Sequence, residues 1–342
     1  MLSRTRRGKN LIAIIAIIGS IAALTFAVST FNSPQENTNG QNMITDNVDD
    51  TPSEPNQAKL DGLAYSGYRK NQSPLTGPHP SQDEMRNDLK LLSSITDRIR
   101  IYGIDGNNQF IPELAQEYGL KVAVTLLLTG DDTDYDKIEK AADIANKNNS
   151  IYTVIVENEG LYRETLTEDR IIQYVDLMRT KLNCSCTITV AEPIGNWFEH
   201  REIANHVDYV MIHYYPYFDG VKIEDAMTRT LDEYNNVKNS FGKDVVFGEI
   251  GWPSDGPDNG MAIPSSENQQ KFILELRKMA ELNETDYFLF EAFDEKWKLE
   301  QGFDTGGPIS VESHWGIFYE NGTMKEPLKN IMPQPASKSD RD

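Results

Sequence analysis

Eight short apolar runs, separated by amphipathic stretches, organise the chain from about residue 60 to about residue 330. The runs are rich in β-branched and aromatic residues and predict strands at Leu63 to Tyr68, Arg98 to Tyr102, Lys121 to Leu128, Tyr152 to Glu157, Thr187 to Ala191, Tyr209 to Tyr214, Val245 to Glu249 and Tyr287 to Phe293. The stretches between them, among them Gln82 to Ile95, Tyr135 to Asn146, Glu168 to Leu182 and Glu267 to Leu282, carry apolar residues at helical spacing. In the first of these Met85, Leu89, Leu92 and Ile95 share a face, and Ser81 stands where an N-cap belongs. Strand and helix alternating along a chain imply parallel strands joined by right-handed crossovers. Eight such units in about 270 residues match an α/β fold of the (β/α)₈ TIM-barrel type. The rival, an open doubly wound sheet, normally brings a glycine-rich phosphate turn after its first strand, and Tyr65-Ser66-Gly67-Tyr68 supplies none.

The first sixty residues follow a different pattern. Arg4, Arg6, Arg7 and Lys9 precede an uncharged apolar run from Leu11 to Val28, just long enough to span hydrocarbon. The basic flank puts the N-terminus in the cytoplasm and the remainder outside. A retained anchor is expected; a cleaved signal peptide, with Ala27 and Ser29 near the cut, is the alternative, and both export the body of the protein. From Thr30 the chain is rich in Asn, Gln, Ser, Pro and Thr and too poor in aliphatic residues to bury a core. The expected organisation is a basic flank at 1–10, an anchor or signal at 11–29, a linker at 30–59, a catalytic barrel at 60–332 and a flexible tail at 333–342. Sequons at Asn71, Asn148, Asn183, Asn283 and Asn321 suit an exported chain, although an Asn-rich sequence generates several by chance.

Charge narrows the partners. With 53 acidic against 33 basic residues the net charge is -20, which argues against nucleic acid or an anionic membrane surface, since phosphate binding relies on clustered cations. The two cysteines, Cys184 and Cys186, are one residue apart, too close for an easy disulfide and too few for structural zinc. Free thiols are expected.

Two strand ends carry the chemistry. Val154-Ile155-Val156-Glu157-Asn158-Glu159 and Val245-Val246-Phe247-Gly248-Glu249-Ile250 each run apolar into a glutamate, about ninety residues apart. In a barrel, the C-terminal ends of strands display the catalytic groups. Three βα units of about thirty residues fill the interval, so Glu159 follows strand four and Glu249 ends strand seven, on facing walls. Carboxyls there can approach the roughly 5 to 5.5 Å of a retaining glycosidase rather than the roughly 6.5 to 9.5 Å of an inverting one.

Here a resemblance becomes specific. Gly248-Glu249-Ile250-Gly251-Trp252-Pro253-Ser254 looks like the nucleophile signature of glycoside hydrolase family 17, the β-1,3-glucanases, and Asn158-Glu159 resembles that family's acid/base pair. Ile99-Arg100-Ile101-Tyr102-Gly103, His213-Tyr214-Tyr215-Pro216-Tyr217, Phe290-Glu291-Ala292-Phe293-Asp294-Glu295 with Trp297 and Lys298, and His314-Trp315-Gly316-Ile317-Phe318 agree, in order, over about residues 62 to 330. The resemblance implies a (β/α)₈ barrel with Glu249 as nucleophile, Glu159 as general acid/base and Asn158 donating to the sugar 2-hydroxyl. It also implies glucose-stacking faces from Tyr65, Tyr102, Tyr215, Phe293 and Trp297. Glu291, Glu295 and Lys298 are subsite groups or an ion-pair network bracing the cleft. His213 is expected as a cleft or core histidine, since no second His or Cys stands at metal-ligand spacing. Trp252 is expected to buttress the nucleophile loop.

One departure stands out: where the family usually has glycine before the Asn-Glu pair, this chain has Glu157. Pointing into the cleft, it would raise the acid's pKa; pointing into the wall, it must find a partner. The expected function is a cofactor-free, monomeric retaining hydrolase of laminarin-like β-glucan, without nucleic-acid partner and held to the membrane only through the N-terminal segment. A β-1,3-glucanosyltransferase using the same site and a non-catalytic glucan-binding surface protein are the alternatives.

Overall fold

The computed structural model describes residues 57–300 and 310–333, so the apolar run at 11–29, nearly all of the linker and the tail beyond 333 lie outside the described residues. Eight parallel strands close a barrel in chain order, the last pairing with the first. They are β1 (Leu63–Tyr65), β2 (Arg98–Tyr102), β3 (Lys121–Thr125), β4 (Ile151–Asn158), β5 (Thr187–Pro193), β6 (Val210–Tyr214), β7 (Val245–Ile250) and β8 (Tyr287–Leu289). The returning helices include α1 (Gln82–Leu92), α2 (Ile111–Gln116), α3 (Thr133–Lys147), α4 (Glu168–Lys181), α5 (Ile194–Glu199), α6 (Ile223–Phe241) and α7 (Ser266–Asn283), with a short α8 (Trp297–Glu300) after β8. Among the described residues no helix is long and apolar enough to cross a membrane.

The apolar stripes explain the packing. Met85, Leu89 and Leu92 of α1 are fully buried, and Ser81 caps that helix by accepting from the Glu84 N–H while the Glu84 side chain accepts from the Ser81 N–H. The main core lies between strands and helices, and a smaller cluster of Ala123, Ile155, Ala191, Met211 and Phe288 is separate from it. Polar residues share the lumen, where Arg100 is fully buried.

Three predicted strands are shorter than expected at their C-terminal ends. β1 stops at Tyr65, β3 at Thr125 and β8 at Leu289. After β8 the chain stays hydrogen-bonded without being regular: the Phe290 N–H donates to Ile250, Glu291 to Trp315 and Ala292 to Ala64. The segment around Trp315 thus shares the strand-end donors that a regular strand would give its neighbours. Cys184 and Cys186 form a disulfide, against the expectation of free thiols. They lie in the turn between α4 and β5, which brings their Cα atoms to 5.2 Å, inside the usual span of a disulfide.

Apart from a shift between Val122 and Ala123 near the start of β3, the ladder irregularities fall where the barrel opens. Register shifts occur between Ile155 and Asn158 in β4, between Ile212 and His213 in β6, and between Phe247 and Ile250 in β7. A bulge re-aims the side chains that follow it. These three strands lead into Glu159, His213 and Glu249.

Candidate active site

Arg100 organises the mouth of the barrel. It sits mid-strand in β2 with no solvent exposure. Its Nε donates to Thr125 Oγ1 at 3.1 Å, one terminal nitrogen donates to the Gly248 carbonyl at 2.7 Å and to His213 Nε2 at 2.8 Å, and the other donates to Asn158 Oδ1. A guanidinium can only donate, so Nε2 of His213 is an acceptor and its proton sits on Nδ1. That N–H donates to Glu159 Oε1 at 2.7 Å and lies 3.5 Å from Glu249 Oε2. Arg100 has its place because Gly248 lacks a side chain: a Cβ there would come within 2.9 Å of the guanidinium and 2.6 Å of Met211 Cγ.

The two predicted glutamates meet at this histidine. One oxygen of Glu159, one of Glu249 and a ring nitrogen of His213 lie within 4.8 Å of one another, a spacing that could also suit a metal ion. In the arrangement observed, Arg100 fills one lone pair of the imidazole and a proton fills the other, leaving no nitrogen to coordinate a metal.

Their surroundings differ. Glu249 accepts from the Tyr102 hydroxyl on one oxygen and from the Tyr215 hydroxyl on the other, both at 2.7 Å, with Arg100 at 3.5 Å. Burial pushes its pKa up, but His213, Arg100 and the two hydroxyls outweigh that and hold it below the usual carboxylate range. Burial and the Glu249 charge push both tyrosines well above their ordinary value, so they stay protonated donors. Glu159 stands on the loop after β4 with a left-handed φ of 55°. Adjacent strand residues point to opposite faces, so this turn brings Glu159 to the same mouth as Asn158. Arg163, four residues on, lies 3.6 Å from its Oε2 and donates to the Asn158 carbonyl.

A second ionic group borders the site. Lys298 is buried between Glu291 at 2.8 Å and Glu295 at 2.9 Å, and Ser66 donates to the other oxygen of Glu295. Burial and the Glu295 charge push Glu291 well up despite Lys298. Burial lowers Lys298, but the carboxylates around it prevail and its pKa rises. Glu312 is pushed up to about 7 by burial, against Lys298 and Trp315, with Glu159 and Glu249 adding to the rise.

Of the predicted residues, Asn158, Glu159, His213, Tyr102, Tyr215 and Glu249 come together directly. Tyr65 and Phe293 do not present ring faces to a cleft. Tyr65 is 1% exposed and bonds Asp88 through its hydroxyl, and Phe293 is 3% exposed beneath Arg69 and beside Phe318. Trp297 is likewise buried, edge-on to Tyr68. The family resemblance implied sugar-stacking faces for all three, but Asp88 holds Tyr65, Arg69 and Phe318 cover Phe293, and Tyr68 packs on Trp297. Trp252 is buried and donates to the Ile263 carbonyl, as a loop buttress does. Glu157 points into the wall, where its Oε2 accepts from the Gly160 N–H at 2.5 Å and its carboxyl meets Glu192 of β5.

Arg100, Arg163, Glu192 and Glu312 were not anticipated as site residues. Arg100 had a signal, a cation between two isoleucines in a buried strand. Glu192 follows Val190-Ala191 in the same manner, whereas Glu312 and Arg163 lie in segments with no periodic pattern.

Similarity to known proteins agrees with this architecture. The Aspergillus terreus protein named probable glucan endo-1,3-beta-glucosidase btgC is 28% identical over 83% of this chain, covering 48% of its own length. The Candida albicans cell surface mannoprotein MP65 is 26% identical over 75% of this chain and 66% of its own. The chain therefore spans about half the length of the btgC relative. Among solved structures, an active-site mutant of a Rhizomucor miehei beta-1,3-glucanosyltransferase in complex with laminaritriose superimposes with a TM-score of 0.68 at 23% identity, over 80% of this chain and 98% of that one. A Faecalibacterium prausnitzii beta-glucuronidase follows at 0.61 and 14%, over 81% of this chain and 48% of its own. Both share the fold. The sequence profile of the BtgE/BtgC glycoside hydrolase domain matches residues 62–316, and the chain belongs to that family.

Proposed function

We propose that this chain is a retaining β-1,3-glucan-active glycosidase of the family 17 type, with Glu249 as nucleophile and Glu159 as general acid/base. The observation that carries the reading is a pair of buried carboxylates with oxygens within 4.8 Å of each other in unlike surroundings. That spacing suits a double displacement and leaves too little room for the water of an inverting mechanism. Glu249, kept ionised by His213, Arg100 and two tyrosine hydroxyls, attacks the anomeric carbon. Glu159 protonates the departing glycosidic oxygen as that bond breaks, leaving a glycosyl ester on Glu249. Glu159, now a carboxylate, then takes a proton from the incoming acceptor, which displaces Glu249. Asn158 has its oxygen committed to Arg100, so its amide N–H₂ is the group available to a sugar hydroxyl.

The relatives' names support β-1,3-glucan as the substrate class. Water as acceptor makes the enzyme a hydrolase and a sugar hydroxyl makes it a transferase. We further place the barrel outside the cell, a reading supported by the basic flank before Leu11 to Val28 and by the Cys184–Cys186 disulfide. The test is a time course on laminarihexaose followed by proton NMR. β-Anomeric reducing ends are expected to form first, and longer oligosaccharides at high substrate would identify the transferase. First-formed α-anomers would overturn the retaining mechanism.

A further inference from the structure

Glu157 and Glu192 have no part in the bond-making steps, yet both are about 1% exposed and sit directly behind the loop that carries Glu159. They project from the ends of adjacent strands β4 and β5. Glu157 Oε2 accepts from the Gly160 N–H at 2.5 Å, Glu192 Oε1 from the Leu161 N–H at 2.7 Å and Glu192 Oε2 from the Tyr162 N–H at 3.4 Å. Three successive backbone donors immediately after Glu159 are thus held by two carboxyls. A Cβ on Gly160 would come within 2.6 Å of Glu157 Oε2, so the loop is fitted closely to the pair.

The pair itself needs a proton. Glu157 Oε1 is buried and meets no N–H or O–H donor among the described residues, while its carboxyl is in hydrogen-bond contact with that of Glu192. Two ionised carboxylates cannot hydrogen-bond, so one of them carries the proton and donates it to the other. Burial favours holding that proton in both groups. The ionisable groups that face the pair are Glu159 and Arg163, both from the loop it grips.

We propose that Glu157 and Glu192 are positioning residues which, by sharing one proton, clamp the backbone at Gly160, Leu161 and Tyr162 and so hold Glu159 in its left-handed, cleft-facing conformation. The proposal rests on Glu159 being the acid/base. Loss of the shared proton puts two like charges side by side beneath the loop and loosens the clamp, so Glu159 drifts from the glycosidic oxygen. Glutamine at 157 reproduces the protonated state at every pH: its oxygen accepts from Gly160 and its N–H donates to Glu192. Leucine fills the space and offers neither.

The test compares wild type, Glu157→Leu and Glu157→Gln as the full chain, by amide hydrogen exchange at Gly160 to Tyr162 without substrate and by the pH dependence of kcat and KM on laminarihexaose. Glu157→Leu is expected to lose exchange protection at those amides and to lower kcat by about 10- to 100-fold with KM within about twofold, since misplacing a reacting group by about 1 Å costs that much. Glu157→Gln is expected to restore both, with its alkaline limb moved to higher pH. A mere neighbouring charge predicts the opposite: removing it would lower the acid's pKa and move that limb down. Unchanged protection in Glu157→Leu, or an alkaline limb of Glu157→Gln that stays or moves down, overturns the clamp. A Glu159→Gln variant as active as wild type would instead overturn the functional reading, while the exchange result would still report on the clamp.

Discussion

The C-terminal ends of β4 and β7 each display a glutamate, but the two supports are built on opposite principles. At β7 the carboxylate lies within the strand, at a shift in its ladder register, and is surrounded by donors, Tyr102, Tyr215 and Arg100, that favour its charge. At β4 the carboxylate stands one residue past the strand on a left-handed turn, and its loop is anchored from behind by two further carboxyls. The lesson is one of division of labour. A nucleophile must be ionised and rigid, and a strand lined with hydroxyls supplies both. An acid/base must hold and release a proton, and Glu159 has a loop seat with a single histidine donor and a more distant arginine.

The sharpest way to break the contrast is to neutralise each glutamate. Glu249→Gln is expected to reduce kcat on laminari-oligosaccharides by about 10⁴-fold or more, because no ester can form. Glu159→Gln is expected to lose comparably on glucan but far less on an aryl glycoside with an acidic leaving group, which departs without protonation. Steady-state rates on the two substrates check this, and equal losses on both for Glu159→Gln would remove the distinction.

The flanking glycines sharpen it next. At Gly248 a methyl group would press on Met211 and the buried Arg100 inside the lumen, and at Gly160 on Glu157 Oε2 at 2.6 Å and Leu166 Cδ1 at 2.8 Å. Gly248→Ala is expected to lower stability by about 1–3 kcal/mol, the usual effect of overpacking a filled core. Gly160→Ala is expected to cost less stability and chiefly kcat, since the atoms it meets belong to the Glu159 loop and its clamp rather than to the barrel lumen. Denaturant titration beside kcat separates the two.

The smallest expected effect comes from the tyrosines. Tyr102→Phe and Tyr215→Phe each remove one donor from Glu249, whose pKa is held below the usual range. Its pKa should therefore rise, and the acid limb of kcat/KM should move to higher pH, with a loss of about tenfold in rate at the optimum. An acid limb that stays in place in both variants would show that the hydroxyls position Glu249 without tuning it.

Much of the framework was readable from residue order. The eight apolar runs appeared as eight strands in the expected sequence, because a strand buried on both faces must be continuously apolar whatever its neighbours do. The Ser81 cap was equally readable, being a local exchange of hydrogen bonds three residues apart. The aromatic predictions fared less well. Tyr65 and Phe293 stand at strand ends, yet Asp88, Arg69 and Phe318, remote in sequence, enclose them. The cysteine pair became a disulfide because the turn before β5 sets a Cα distance that residue spacing leaves open.

Composition and pattern therefore specified an acidic chain, a barrel of eight units and two glutamates at the ends of its fourth and seventh strands. Those are properties of periodicity and of short contiguous motifs. The tertiary structure assigned each glutamate its surroundings: the arginine that fixes the tautomer of His213, the hydroxyls on Glu249, and the partner that accepts Glu157 into the wall. Such contacts join residues from about 30 to about 150 positions apart, and a single sequence carries no distance information between them. They also depend on a few degrees of local backbone freedom, as at Glu159 and its left-handed turn, which no side-chain pattern announces.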